Sequence, residues 1–217
     1  MQVLKSAKRM AGFGAAAVAA GAMLGLASMG SAAGADEKAE IGKKAPDFTL
    51  PDLGGERHTL SDMVEEDKVV VLEWFNPECP FVKKHYREDT QTMNTLADRF
   101  ADRGVVWVRI NSGAPGKQGA GVEKNERYKD EYKIDGPILL DESGEVGKMY
   151  GATNTPHMYV IDRSGTLRYM GAIDNDRRAR EPGDVNYVER ALEKILAGET
   201  VSETETQAYG CSVKYKG

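Results

Sequence analysis

The stretch VVVLEWFNPECPFV, Val69–Val82, holds one of only two cysteines in a chain of 217 residues. Its apolar beginning is typical of a strand that is covered on both faces, as in a parallel sheet. Cys79 follows a short loop, and Pro80 suits the first position of a helix, where a missing N–H costs nothing. We therefore expect Cys79 at the junction of a strand and a helix, where α/β proteins place their active sites.

The start of a helix favours a reactive cysteine. Its free N–H groups and the positive end of its dipole stabilise the thiolate, which is the nucleophilic form. Lys83 and Lys84 in the first turn would strengthen this effect, and Glu78 would oppose it. The alternative is a small buried cysteine that fills the core. We favour the reactive thiol, because Cys79 follows Asn-Pro-Glu and does not lie within an apolar helix face.

Strand and helix patterns alternate through the chain beyond this stretch. The apolar periodicity predicts a long helix over Pro80–Arg103, a strand over Val105–Ser112 and a charged helix over Val122–Tyr132. A hairpin with its turn at Arg163–Gly165 and a last helix capped by Asp184 follow. This order predicts an α/β fold with helices packed on a central sheet.

The N-terminal segment has the three parts of a secretory signal peptide. A short basic region is followed by an apolar region rich in Ala and Gly, and then by an Ala-x-Ala site that ends at Ala35. A membrane anchor is the alternative, but the segment is only weakly hydrophobic. Cleavage after Ala35 would remove residues 1–35 and leave 182 residues with a net charge of −8, enough for one domain with its own core.

The acidic mature chain argues against nucleic acid and against anionic membranes as partners. After cleavage we expect no stable membrane association. The signal peptide predicts export to a periplasm or to the cell exterior, where disulfides persist.

The cysteine and histidine counts narrow the chemistry. Two cysteines are too few for a disulfide scaffold or for a cysteine-based zinc site. The three histidines, His58, His85 and His157, show no metal-ligand spacing, and we expect no cofactor. We interpret His85 as a surface residue, because it lies on a different helix face from Cys79. What remains is a redox pair, or one reactive thiol and one bystander.

Three stretches together resemble one family. VVVLEWFNPECPFV is similar to the strand, loop and CxxC helix of thioredoxin-like proteins, and IGKKAPDFTLPDLGGERHTLSDM resembles the opening of the redoxin branch. YGATNTPHMYVIDRSGTLRYMGAID resembles that branch's Thr–cis-Pro, strand and hairpin. The branch includes AhpC/TSA proteins and periplasmic thiol–disulfide oxidoreductases. The resemblance implies a thioredoxin-like fold over residues 36–198, with a central mixed sheet, an N-terminal β-hairpin extension and a C-terminal tail at residues 199–217.

The resemblance also implies roles for individual residues. Cys79 matches the attacking cysteine of CxxC, but Val82 stands where the resolving cysteine would be. Thr155 and Pro156 match the cis-proline motif, which faces the sulfur and leaves backbone free to pair with a substrate chain. Asn76 matches a peroxiredoxin threonine, whereas Pro156 stands where peroxiredoxins carry an arginine. Supporting roles in the active site are further implied for three residues: Pro77, Pro80 and His157.

The second cysteine, Cys211, lies in a tail without clear periodicity. It either resolves Cys79, as C-terminal cysteines do in some peroxiredoxins, or remains free or forms a static disulfide. An intramolecular disulfide can only join Cys79 to Cys211, and a permanent one would disarm the nucleophile.

We expect an exported oxidoreductase that attacks a protein disulfide or a peroxide and depends on an external thiol donor. The cis-proline motif and the missing arginine favour disulfide exchange over peroxide reduction. A copper-binding chaperone that uses Cys79 and His157 is the alternative of a different class.

Overall fold

A mixed five-stranded sheet forms the centre of the protein, in a computed structural model that describes residues 38–217. Its strand order is β5-β4-β3-β7-β8, with β3, β4 and β5 parallel and with β7 and β8 antiparallel to their neighbours. The signal-peptide interpretation of residues 1–35 lies outside the described residues. The five strands are β3 (Val69–Trp74), β4 (Val105–Asn111), β5 (Ile138–Leu140), β7 (His157–Ile161) and β8 (Leu167–Gly171).

Strand β3 is central, and all six of its residues are buried. Alternate side chains enter two separate apolar clusters, with Val69 and Val71 in one and Val70 and Leu72 in the other. Each face of the strand is therefore covered, as the continuous apolar run predicts. The mixed sheet between two apolar layers confirms the predicted α/β, thioredoxin-like class.

The remaining strands form two small pairs. The pair β1–β2 is the predicted N-terminal hairpin, and its turn contains the Gly54–Gly55 pair. The pair β6–β9 joins the segment before Pro156 to the tail. These four strands are β1 (Thr49–Pro51), β2 (Arg57–Thr59), β6 (Asn154–Thr155) and β9 (Cys211–Ser212).

Six helices surround the sheets within residues 38–217, and none of them combines the length and the hydropathy needed to cross a bilayer. They are α1 (Leu60–Glu65), α2 (Pro80–Lys83), α3 (Thr92–Ala101), α4 (Val122–Glu131), α5 (Glu145–Met149) and α6 (Tyr187–Leu196).

The predicted continuous helix over Pro80–Arg103 is wrong, because the chain breaks between α2 and α3. Gln91 adopts a left-handed φ of 45° immediately before α3. Side chains in the break bond backbone carbonyls in place of a regular helix ladder: the Thr90 hydroxyl donates to the carbonyl of Lys84 (2.6 Å), and the Gln91 amide donates to that of Tyr86 (3.0 Å). The prediction failed because the apolar spacing continued across a break made by local polar side chains.

The cap of α6 also differs from the prediction. Asn186, not Asp184, is the N-cap residue, and its side-chain oxygen accepts a hydrogen bond from the Glu189 N–H at 2.8 Å. Asp184 instead accepts from the Asn175 amide at 2.7 Å. The predicted hairpin is confirmed: β7 and β8 pair antiparallel, and the Gly165 N–H donates to the Asp162 carbonyl in the turn at 2.8 Å.

The tail, residues 199–217, returns to the sheet and belongs to the same compact unit as the rest of the described chain. Its strand β9 pairs in register with β6, so that Cys211 lies opposite Thr155. The sequence showed no periodicity here because the paired element has only two residues. This return places the second cysteine beside the segment that precedes Pro156.

Candidate active site around Cys79

Cys79 is the N-cap residue of α2, with Pro80 at the first helical position, as predicted. It is 0 % exposed, and its thiol donates a hydrogen bond to the carbonyl oxygen of Thr155 at 3.1 Å. Helix α2 has only four residues, so its dipole is smaller than that of the long helix expected from the sequence. The site therefore pairs a buried thiol with a backbone acceptor at the end of β3.

Cys211 lies next to Cys79, although 132 positions separate them in the sequence. Cys211 packs against the apolar cluster that contains Cys79 and lies opposite Thr155, whose carbonyl accepts the Cys79 thiol; both cysteines are free. Burial and the neighbouring Cys79 raise the pKa of Cys211 to about 12, while the charge of Lys214 opposes the increase. The structure thus brings together the two residues that the sequence left far apart.

The Thr155–Pro156 peptide bond is cis, as the resemblance implied. Thr155 presents its carbonyl oxygen to the Cys79 thiol, and its hydroxyl is buried without a hydrogen-bond partner among the described residues. His157 is buried directly beyond, and its Nδ1 is 3.2 Å from the Tyr159 hydroxyl and 3.4 Å from the Thr153 N–H. Burial lowers the pKa of His157 to about 4, which keeps the ring neutral at physiological pH.

The loop before Cys79 is held by its own polar groups. The Asn76 side chain accepts from the Glu78 N–H at 3.0 Å and donates to the Gln118 carbonyl at 3.3 Å. The Pro77 carbonyl accepts from the Tyr132 hydroxyl at 2.7 Å. The Asn76 side chain therefore fixes the loop before Cys79, and these bonds occupy both ends of its amide.

Three charged neighbours of Cys79 have partners of their own. Glu78 forms an ion pair with Lys124 at 3.1 Å, which lowers the pKa of Glu78. Lys83 lies over the Tyr128 ring. The ammonium of Lys84 is buried and donates to three backbone carbonyls, those of Asp176 (2.5 Å), Arg178 (3.0 Å) and Glu181 (3.3 Å). The expectation that Lys84 supports the Cys79 thiolate is therefore not supported.

A buried cluster of polar side chains connects the chain just after α2 to the tail just before β9. The Tyr209 hydroxyl donates to Asp174 at 2.5 Å and lies 3.3 Å from His85 Nε2, and Lys84 sits over the Tyr209 ring at 4.6 Å. We call Lys84, His85, Asp174 and Tyr209 the Tyr209 clasp. The surface interpretation of His85 is wrong: the residue is fully buried, because α2 ends before it and the chain turns inward.

Sequence reasoning also missed Glu73, the one charged residue in the apolar run of β3. Its carboxylate accepts from the Tyr86 hydroxyl at 2.7 Å and from the Trp107 indole at 2.9 Å, and it lies 3.7 Å from Arg109. Burial raises the pKa of Glu73, and the Arg109 charge opposes this. An acidic residue inside a strand that is covered on both faces was the signal that could have found it.

Among residues 38–217, a group of three side chains close enough to share a metal ion consists of Asp52, Glu56 and His58 in the β1–β2 hairpin. Cys79, Cys211 and His157 do not form such a group in this part of the chain. The geometry therefore gives no support to the copper-binding alternative.

Known proteins are similar to this chain in sequence and in fold. The thiol–disulfide oxidoreductase ResA of Bacillus thuringiensis subsp. konkukian is 29 % identical over 132 residues, which are 61 % of this chain and 69 % of ResA. An uncharacterized conserved protein of Geobacillus kaustophilus is 31 % identical with a TM-score of 0.72, over 82 % of this chain and 93 % of the other. A putative thiol:disulfide interchange protein DsbE from Chlorobium tepidum, 21 % identical with a TM-score of 0.56 over 73 % of this chain and 99 % of its own, shares the fold.

The model of the AhpC/TSA family matches residues 41–170, which include Cys79 and Pro156 but not Cys211. The matched region contains all the strands from β1 to β7 and most of β8. The chain belongs to the AhpC/TSA family, and it is a thiol-dependent oxidoreductase with a thioredoxin-like fold.

Proposed function

We propose that the protein catalyses thiol–disulfide exchange, with Cys79 as the attacking nucleophile and Cys211 as the resolving thiol. The observation that carries this proposal is that both cysteines meet at Thr155, which pairs with Cys211 in the β6–β9 pair and accepts the Cys79 thiol through its carbonyl oxygen. Val82 stands where a neighbouring resolving cysteine would be, so Cys211 is the thiol within reach. The basic and apolar composition of residues 1–35 supports the further proposal that the protein is exported.

The reaction proceeds in two exchanges. The Cys79 thiolate attacks one sulfur of a substrate disulfide, the substrate S–S bond breaks, and the departing thiolate takes up a proton. The Cys211 thiolate then attacks Cys79 in the mixed disulfide, and the second substrate thiol leaves. The substrate gains two electrons, and the protein is left with a Cys79–Cys211 disulfide that an external thiol donor reduces.

Reduction of a hydroperoxide is the second candidate. It is favoured by the complete burial of Cys79, since a small oxidant requires less opening than a polypeptide does. In this reaction the thiolate attacks the O–O bond, which gives a sulfenic acid and an alcohol or water. Cys211 then condenses with the sulfenic acid, and a water molecule leaves as the disulfide forms.

Two cysteine variants test the proposal. We expect Cys79→Ser to abolish turnover of a protein disulfide such as insulin with an external thiol. Cys211→Ser should instead accumulate a mixed disulfide at Cys79, visible as a mass increase that reductant reverses. Thiol mapping of the wild-type protein after oxidation should find the Cys79–Cys211 bond.

Turnover that survives in Cys79→Ser would contradict the proposal. Consumption of hydroperoxide that depends on Cys79 and exceeds disulfide turnover would establish the second candidate instead. A wild-type protein that never forms the Cys79–Cys211 bond would remove Cys211 from the mechanism.

A further inference from the structure

The tail occupies the strand edge that lies beside Cys79. Strand β9 pairs antiparallel with β6 and places Cys211 opposite Thr155. The Val213 N–H donates to the Thr153 carbonyl at 3.0 Å, and the side-chain amide of Asn154 donates to the Gly210 carbonyl at 3.0 Å. Such an edge binds an extended polypeptide through backbone hydrogen bonds when it is open. Here the chain's own tail makes those bonds.

Gly210 fits the tail closely against this edge. Its φ is +117°, and a Cβ atom at this position would lie 2.1 Å from the Thr155 carbonyl oxygen. That oxygen is the same one that accepts the Cys79 thiol. Because the nearest neighbour is backbone, it cannot rotate away, and any side chain at 210 would force the tail off β6.

The tail is anchored on both sides of β9. On one side, the Tyr209 clasp ties it to Asp174 and to Lys84, five residues after Cys79. On the other side, the Tyr215 hydroxyl donates to the Ala152 carbonyl at 2.7 Å. The bond from Tyr209 goes to a buried carboxylate, and charge-assisted bonds of this kind are about twice as strong as neutral ones. The two-residue strand between the anchors contributes few bonds of its own.

The resemblance to thioredoxin-like proteins implies that the β6 edge beside Cys79 receives an extended substrate chain. We propose that the tail segment Tyr209–Tyr215 competes with that chain for the edge and, while it is bound there, closes access to Cys79. Cys79 then meets an external polypeptide only while this segment is displaced. The proposal rests on the proposed function in one respect, since the polypeptide is the partner that carries the disulfide or the reducing thiol. The tail thus delivers Cys211 and excludes the partner from the same place.

A simple relation links the tail to the reactivity of Cys79. If the closed form is unreactive, the observed rate with an external reagent is the intrinsic rate multiplied by the open fraction. Every change that loosens the tail must therefore raise that rate, without any change at Cys79 itself.

The test measures alkylation of Cys79 by iodoacetamide, with all variants made in a Cys211→Ser background so that a single thiol reacts. We expect Gly210→Ala and Tyr209→Phe each to accelerate alkylation by about tenfold. Tyr209→Phe removes one hydrogen bond to a charged group, and Gly210→Ala introduces a steric clash of similar cost. Gly217→Ala is the matched control, because a Cβ at 217 meets nothing within 4 Å. Thermal melting of each variant separates tail release from general unfolding.

A second arm tests whether the open edge binds polypeptide. In a chain that ends at Ala208, Cys79 should be alkylated fastest. A synthetic peptide of residues 207–217 carrying Cys211→Ser should slow this alkylation towards the rate of the full chain. A chain that is simply unfolded would not regain protection from the peptide.

Equal alkylation rates in the full chain, Gly210→Ala and the truncated chain would overturn the proposal. Faster alkylation that the peptide does not reverse, in a truncated chain that still melts cooperatively, would overturn the polypeptide site. Alkylation reports access to Cys79 and needs no turnover, so these outcomes are distinguishable from a failure of the proposed disulfide exchange.

Discussion

Cys211 is held protonated in the reduced protein, because its pKa is raised to about 12. Burial is the largest cause, and Cys79 adds to it as a hydrogen-bond acceptor and, when it is a thiolate, as a negative charge. When Cys79 is bound in a mixed disulfide, its sulfur carries no negative charge and accepts a hydrogen bond only weakly. Two of the three causes then weaken or disappear, so Cys211 becomes a better nucleophile at the moment when it is needed.

The pH dependence of the resolving step tests this assignment. Below the pKa of Cys211 the thiolate fraction grows about tenfold per pH unit, so we expect the resolving rate to rise steeply between pH 6 and pH 8. The measurement is the single-turnover release of thionitrobenzoate from a mixed disulfide preformed at Cys79. Lys214→Ala should slow the step, because the Lys214 charge lowers the pKa of Cys211, whereas Lys216→Ala serves as control. A rate that does not change with pH would contradict the role of Cys211.

At the scale of single elements, the sequence predicted what local patterns determine and missed what depends on distant contacts. The apolar run of β3, the hairpin at Arg163–Gly165 and helix α4 have their own periodicity or turn chemistry, and the structure confirms them. The break before α3 depends on side-chain bonds to backbone carbonyls, which no hydrophobic pattern records. Strand β9 has two residues and exists only through its partner β6, so only the folded chain reveals it.

The cap of α6 gives a prediction for one element. Asn186→Ala removes the side-chain acceptor of the Glu189 N–H, and we expect a loss of about 1 kcal/mol in the free energy of unfolding. Asp184→Ala is the matched control, because Asp184 does not cap the helix and bonds only an exposed amide. We expect that control to change stability by less than about 0.5 kcal/mol. Urea unfolding of both variants makes the comparison, and a larger loss in Asp184→Ala would reverse the assignment.

The molecule as a whole buries an unusual set of polar groups around its site. Glu73 lies within the sheet, and Asp174, Lys84 and His85 lie beneath the tail. Composition and spacing could not predict this arrangement, because each charge becomes tolerable only through partners that come from remote parts of the chain. The same burial makes the stability of the fold dependent on pH.

His85 and His157 provide the last prediction. Burial lowers the pKa of His85 to about 3, with the charges of Lys84 and Arg87 adding to the effect, and lowers that of His157 to about 4. In the unfolded chain both rings regain a pKa near 6.5. The stability is therefore complete above about pH 6.5, and it is lost as the pH falls towards 4, because only the unfolded state takes up the protons. At pH 5 each neutral ring should lower the free energy of unfolding by about 2 kcal/mol relative to pH 7.

The decisive quantity is the difference in unfolding free energy between pH 7 and pH 5, measured by urea titration in the parent and in His157→Asn. We expect the variant to lose about half of the decrease attributable to the two rings, even if it is less stable at both pH values. The raised pKa values of Glu73 and Asp141 act with the opposite sign, but they are common to both proteins and cancel in the comparison. Identical pH slopes would show that His157 does not stay neutral in the fold, and that its environment is less closed than the structure describes.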